Sequence, residues 1–155
     1  MVARPIQKNR EGKLMAAADL NSIRATIEGR LATELASSPV IPVVFHNMAY
    51  EPTPNSSWVQ CLTSFGASEY LGQGLTTNSQ NRIVGLVLIN IFSGRGVGPG
   101  ANYVIGKRIR DLYNRVIESG VFFDAPIGPA ALASPAPEGY FQTQVRVTFE
   151  SIEEL

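Results

Sequence analysis

The sequence has almost none of the residues that build metal sites, disulfides or nucleophilic pairs. Among its 155 residues there is one cysteine, Cys61, and one histidine, His46. A single cysteine excludes an intrachain disulfide, and one cysteine with one histidine falls short of a zinc ligand set. No serine or cysteine nucleophile motif accompanies them. We therefore expect no catalytic, metal or cofactor site, and we expect the chain not to be an enzyme.

An excess of charge of one sign and a long apolar run are also missing. The 13 basic and 13 acidic residues cancel, whereas a dedicated duplex-DNA binder usually carries a basic excess. The longest apolar run, residues 83–92, contains a glycine and an asparagine and is too short to span a bilayer as a helix. The N-terminal residues lack the apolar core of a signal peptide. We expect a soluble protein that is made in the cytoplasm and makes no membrane contact.

A glycine run is the one segment that suggests a ligand. Residues 96–101 match the pattern G-x-G-x-x-G/A between a predicted strand and a predicted helix, as in a dinucleotide-binding turn. Pro99 removes a backbone N–H that a pyrophosphate would need, and few residues remain after Asp124 for further parallel strands. We interpret the run as a flexible connection. Three cations that follow it are assigned to the solvated face of a helix: Lys107, Arg108 and Arg110.

Two helices are predicted from apolar residues spaced three and four apart. The first begins at Asp19, a good N-cap, and ends before Pro39. Its apolar stripe consists of Leu20, Ile23, Ile27, Leu31 and Leu35. The second is predicted from about Asn102 to Ser119, with Gly120 as the residue that terminates it.

The remaining periodic segments predict strands. They are residues 40–46, 58–65, 82–92, 121–123 and 140–150. Residues 66–80 are expected to form a long polar loop, residues 123–137 a connection, and Glu150, Glu153 and Glu154 part of a solvated tail. Residues 83–88 are apolar on both strand faces, which indicates either a central position in the sheet or a second face covered by a helix or a neighbouring subunit. The order is α-β-β-β-α-β-β, and we predict an α+β fold with a mainly antiparallel sheet and two helices on one face.

Residues 16–155 are expected to form one domain, preceded by a basic arm at residues 1–15. The arm is either a frayed terminus or a segment that orders on a partner. Residues 68–81 are expected to dock on a partner, because a long loop is usually functional or disordered and this one carries apolar side chains. The candidate interface residues are Arg4, Lys8, Arg10, Tyr70, Leu71, Leu75 and Arg95.

The succession of local sequences resembles one known family. In order come IEGRLATEL at residues 27–35, IPVVFHNMAYEP at 41–52, WVQCL at 58–62 and VLINIF at 87–92, before glycines, a helix and a final alternating strand. Over about residues 19–150 this is similar to the tail-terminator and tail-completion proteins of long-tailed bacteriophages. The basic arm and the Pro/Ala-rich residues 128–137 are not part of that pattern.

The resemblance implies a structural role. Copies of the chain would form a six-fold ring that caps the tail tube, ends its polymerisation and joins the tail to the neck. Its partners would be the tail-tube protein and a neck or head-completion protein, and DNA would pass through the lumen without specific binding. The protein would be assembled in the host cytoplasm and end at the head-proximal end of the virion's tail. Alternatives are a tail-tube, baseplate-hub or neck subunit, or a small-molecule-binding α+β domain that uses the glycine run.

Overall fold

The computed structural model describes residues 19–72, 80–132 and 137–154. Two helices and seven strands follow one another in these ranges. They are α1 (Leu20–Ala36), β1 (Val43–Phe45), β2 (Trp58–Gly72), β3 (Gln80–Gly94), α2 (Gly100–Tyr113), β4 (Ile117–Glu118), β5 (Val121–Phe123), β6 (Ile127–Ala131) and β7 (Tyr140–Glu154).

The strands form one curled sheet in the order β1-β2-β3-β7-β5-β4, and β6 pairs with β7 beside β5. Every pair is antiparallel except β1 with β2, which is parallel over three residues. The predicted α+β class and the predicted order of elements are confirmed. Two further strands, β4 and β6, lie in segments that the sequence analysis assigned to a helix end and a connection. The central position predicted for residues 83–88 is also confirmed, because β3 lies between β2 and β7.

Helix α1 begins and packs as its sequence predicts. The Asp19 carboxylate accepts hydrogen bonds from the backbone N–H groups of Asn21 and Ser22, both at 3.3 Å, which satisfies two donors of the first turn. The stripe from Ile23 to Leu35 is buried, whereas Leu20 is 48% exposed. These side chains join one core with the inward-facing residues of the three long strands and with α2.

Helix α2 is shorter than predicted. It ends at Tyr113 with Asn114 as its C-cap, and not near Ser119. The chain then turns through Arg115, whose φ is 54°, and β4 pairs with β5 as a small hairpin. Gly120, with φ of 79°, lies in the turn of that hairpin and does not terminate the helix. The helical spacing continues past the true end because Val116 and Ile117 are apolar at the next helical positions.

The described part of the predicted long loop at residues 66–80 is strand, and residues 73–79 of that prediction lie outside the described residues. Strand β2 continues to Gly72 and β3 begins at Gln80, and these extensions pair with each other and with the end of β7. A β-bulge at residues 66–67 shifts the register, which lets a glycine-containing segment stay in the sheet. The acidic residues 150–154, predicted as a solvated tail, therefore belong to β7. Pairing with distant strands decides these conformations, since the local composition favours a loop.

Candidate assembly surfaces

The structure does not bring the predicted interface residues together. Arg4, Lys8, Arg10 and Leu75 lie outside the described residues. Tyr70 and Leu71 are neighbours near the end of β2, where they are 71% and 48% exposed. Arg95 lies in the exposed turn that follows β3, at the opposite end of the sheet. Tyr70 pairs with Asn81 at the start of β3, so about 45 Å of strand separates it from Arg95 at roughly 3.3 Å per residue.

Both helices pack on one face of the sheet, and the opposite face carries no helix in the described part of the chain. We call that opposite side the outer face. Its central side chains are leucines and a valine that are only partly buried: Leu62, Val84, Leu86 and Leu88. Cross-strand pairing places Leu62 beside Leu88, so these residues form a continuous apolar strip. The sequence indicated this strip, because residues 83–88 are apolar on both strand faces.

A ladder of side-chain amides crosses the outer face next to the apolar strip. Asn90 Nδ2 donates to Gln60 Oε1 at 3.1 Å, and Gln144 Nε2 donates to Asn90 Oδ1 at 2.9 Å. Arg146 Nε then donates to Gln144 Oε1 at 3.0 Å. The three amides come from β2, β3 and β7, so the ladder fixes the register of all three strands. Sequence analysis missed the ladder, since nothing in the sequence around Gln60, Asn90 or Gln144 indicates that their side chains bond to one another.

The charged groups at the far end of the outer face are paired within the subunit. Arg82 contacts Glu69 at 2.7 Å and Glu150 at 3.6 Å, and the Thr148 hydroxyl donates to the Asp124 carboxylate at 2.6 Å. All of these groups are substantially exposed, so each pair contributes little to folding. Their effect is to leave the face without a strong charge of either sign.

The far half of β2 is exposed although it is a strand. Eight consecutive residues, 64–71, are exposed, and they include Phe65 at the margin with 36%. We call residues 64–72 of β2 and 80–84 of β3 the distal hairpin. β1 pairs with β2 only as far as Cys61. Beyond that point no described residue bonds to the side of β2 that faces away from β3. The distal hairpin therefore has an open edge, and its β2 strand exposes side chains on both faces.

The near end of the outer face is covered by an aromatic cluster. Trp58 and Phe92 stack with ring centroids 4.1 Å apart, and Tyr140 contacts both rings edge-on. The Tyr140 hydroxyl donates to the Thr53 carbonyl oxygen at 3.2 Å, which ties the preceding proline-rich segment to the cluster. Burial of Trp58 leaves its indole N–H without a partner in the described structure. This end of the sheet is closed by its own chain.

The two residues considered for nucleophilic chemistry do not form a pair. Cys61 is fully buried in the core, and burial, with a smaller contribution from the Glu28 carboxylate, raises the pKa of its thiol to about 12. A thiol with that pKa is not a nucleophile at neutral pH. His46 is exposed in the turn after β1. Among the described residues no hydrogen bond joins the two side chains, and the arrangement offers a small buried side chain instead of a reactive centre.

The glycine run sits in a setting unlike a dinucleotide-binding turn. Gly96 and Gly98 adopt φ of 87° and 85° in the connection from β3 to α2. However, β3 is antiparallel to both of its neighbours, whereas the dinucleotide motif belongs to parallel βαβ units.

Two of the three cations assigned to a solvated helix face donate to backbone oxygens of the protein. Arg108 donates to the carbonyl oxygen of Glu34 at 2.7 Å, in the last turn of α1, and to that of Pro39 at 2.9 Å, just beyond the helix. Arg110 donates to the Gly128 carbonyl oxygen beside β6. Lys107, which pairs with Asp111 on the same helix, and Arg110 are both exposed, as predicted. The prediction was wrong for Arg108, which is partly buried, because its carbonyl acceptors come from a distant segment.

Two further features of residues 19–72, 80–132 and 137–154 bear on possible sites. No three side chains of the metal-binding types histidine, cysteine, aspartate and glutamate converge there on a common point. Neither helix combines the length and the hydropathy of a membrane-crossing segment.

Comparison with known proteins informs on the fold alone. No protein-family model matches the sequence. No curated protein matches it either. Fifteen chains among solved structures are similar in fold. One of them, whose name describes no function, is 16% identical and has a TM-score of 0.62, and the match covers 86% of this chain and 95% of that one.

Proposed function

We propose that this chain is a structural subunit of a long-tailed bacteriophage that assembles into a six-membered ring, caps the tail tube and stops its growth. The sequence resemblance suggests the family, and the structure supports a subunit that works by contact and not by chemistry. The observation that carries the proposal is the outer face. Its apolar strip of Leu62, Val84, Leu86 and Leu88 is left partly exposed by a fold that places both helices on the other side.

A closed ring needs two different surfaces on each subunit, because head-to-tail contacts join unlike patches. The chain offers a second exposed apolar surface on its helix side, where Tyr103 and Val104 of α2 are 48% and 63% exposed. Contact between the outer face of one copy and this second surface of the next would bury apolar side chains that each subunit alone leaves in water. The distal hairpin remains free for the tube.

The charge balance of the chain fits a ring whose lumen DNA crosses. Affinity for DNA comes mainly from cations that neutralise phosphates, and Arg82 is held by two carboxylates of its own subunit. A subunit without an excess of cations would not retain the DNA. The chain's balance of 13 basic and 13 acidic residues is in accord with that role.

The proposal is tested by changing the apolar strip without changing the fold. Leu86→Glu and Leu88→Glu place carboxylates on the outer face, and Val97→Glu serves as a matched control, since Val97 is 74% exposed in the turn after β3. We expect the two leucine variants to stay folded by circular dichroism but to form no rings in negative-stain electron microscopy, while the control forms rings. Ring formation by folded leucine variants would contradict the proposed interface. Helical tubes of the unmodified chain alone would favour a tube subunit over a cap.

A further inference from the structure

The open edge of β2 carries an inference beyond ring formation. Strand edges in native proteins are usually closed by pairing or guarded by lysine, proline or a bulge, because their free N–H and C=O groups pair with any suitable strand. Residues 62–72 of β2 have neither lysine nor proline. Their one charged side chain, Glu69, is held by Arg82. Two irregularities interrupt the edge: the bulge at residues 66–67 and a register shift between Tyr70 and Gly72.

One hydrogen bond between β2 and the segment that leads into β1 shows which backbone N–H and C=O groups of β2 point away from β3. The Val59 N–H donates to the Pro42 carbonyl oxygen at 2.9 Å, so Val59 faces away from β3. Backbone groups alternate along a strand, which gives Thr63 the same outward direction. The bulge then shifts the pairing by one residue, so that Ser68 and Tyr70 face outward beyond it. Thr63, Ser68 and Tyr70 thus present donors and acceptors to an incoming strand.

We infer that this edge receives an extended strand of about ten residues from a different protein, which adds to the sheet beside β2. Backbone groups at strand spacing recognise another strand, and β1 already occupies the same edge at residues 59–61. A second copy is a poor donor, because no described strand other than β2 offers a comparably long open edge. If the β2 strands of two copies paired about a two-fold axis, the bulge at residues 66–67 of one copy would lie near that of the other. The exposed side chains of Phe65 and Tyr70 would lie against alternate side chains of the added strand.

The inference rests on the proposed function for the identity of the donor, which we take to be the tail-tube protein of the terminal ring. A cap that adds its edge to a strand of the tube would also stop growth, since the strand it occupies is no longer open to another tube subunit. The inferred contact is therefore made of backbone hydrogen bonds, with the side chains of the distal hairpin adding specificity.

Amide hydrogen exchange, read residue by residue by NMR, tests the inference on the unmodified chain. In the isolated chain we expect the Thr63, Ser68 and Tyr70 amides to exchange rapidly, while the β3-facing amides of Leu62 and Ser64 are protected. In tubes capped with the chain, quenched and dissolved before measurement, the outward amides should slow by at least tenfold. Capped tubes in which these amides still exchange rapidly would overturn the strand addition and leave the capping function standing.

Other outcomes are equally decisive. Protection of the outward amides in the isolated chain, or in rings without tube protein, would show that the chain itself fills the edge. Failure of the chain to bind tubes at all would overturn both the inference and the proposed function.

Two variants at one position add an independent test: Ser68→Pro removes an outward N–H and should weaken tube binding at least tenfold, whereas Ser68→Ala keeps the N–H and should bind normally. Equal binding by two folded variants would count against the inference.

Discussion

Strand β2 is well packed over one half and poorly covered over the other. In and around the near half, Val59, Val87, Ile89 and Val145 are completely buried between the helices and the sheet. In the far half, residues 64–71 of β2 are all exposed. Backbone pairing of β2 with β3 continues through both halves, across the bulge at residues 66–67 and the shift between Tyr70 and Gly72. The difference indicates that the near half of β2 stabilises the subunit, while its far half is held in shape mainly by pairing and is available for a partner.

The sharpest test of this difference compares one truncation in each half. Ile89→Ala removes buried side-chain atoms from the core and should lower the free energy of unfolding by about 2–5 kcal/mol. Tyr70→Ala removes a side chain that is 71% exposed and should change the free energy of unfolding by at most about 0.5 kcal/mol. Urea unfolding followed by circular dichroism measures both values. A loss for Tyr70→Ala as large as that for Ile89→Ala would mean that the distal hairpin belongs to the core.

Two glycines at the boundary between the halves give a second, smaller contrast. A Cβ at Gly85 would lie 2.2 Å from the Phe149 ring and 2.6 Å from the Ser64 carbonyl oxygen, so Gly85→Ala should cost about 1–3 kcal/mol. A Cβ at Gly66 would meet its nearest atoms at 3.5 Å, an ordinary contact. Gly66→Ala should therefore be neutral or stabilise by less than about 1 kcal/mol. Thermal unfolding of the two variants provides the comparison, and equal losses would show that the two sites are packed alike.

The buried thiol of Cys61 predicts that the free energy of unfolding depends on pH, an effect for which the exposed half of β2 has no counterpart. Burial raises the pKa of Cys61 from 9.0 to about 12, so the folded state disfavours the thiolate that the unfolded chain forms readily. The stabilisation is fully present below pH 9 and is lost as the pH rises from 9 towards 12, at up to about 1.4 kcal/mol per pH unit. Burial raises the pKa of Tyr113 as well, with the same sign.

Urea unfolding at pH 8 and pH 10 separates the contribution of Cys61 from that of the tyrosine. Cys61→Ala should be less stable than the unmodified chain at pH 8, because a core contact is lost, and should lose less stability on going to pH 10. Tyr113 is present in both proteins, and burial, the largest cause of its raised pKa, acts in both, while the smaller contribution of Cys61 is removed with the thiol. An identical pH dependence in the two proteins would show that the thiol ionises alike in the folded and unfolded states.

The local sequence pattern predicted the helices and strands that need only an apolar surface to pack on, whichever residues provide that surface. The helical stripe and the Asp19 cap of α1 needed only an apolar surface to pack on, and the alternation in residues 140–150 needed only a buried face. The end of α2 could not be predicted, because the competing hairpin of β4 and β5 has residues that also fit a helix. The extension of β2 could not be predicted either, since it depends on pairing with residues 80–85 of β3 across the sheet.

The candidate surfaces also include features that the sequence could predict and features that it could not. The apolar strip was foreseeable, because a strand with apolar residues on both faces must meet something on its second face. The amide ladder of Gln60, Asn90 and Gln144 and the anchoring of Arg108 depend on which strands and helix ends become neighbours. Tyr70 and Leu71 were predicted to be exposed, and they are, but on a strand and not on a loop. The strand places them beside an open backbone edge, which a loop would not provide.

Electron microscopy of tail tubes assembled with and without the chain tests the central proposal most directly. Tube protein should polymerise to variable lengths by itself, and with the unmodified chain present each tube should end in a ring and stop growing. A chain in which residues 69–77 are shortened to a two-residue turn should stay folded and form rings, because its core is intact, but should leave tube lengths uncontrolled. Tubes that keep growing in the presence of the unmodified, folded chain would contradict the proposed function.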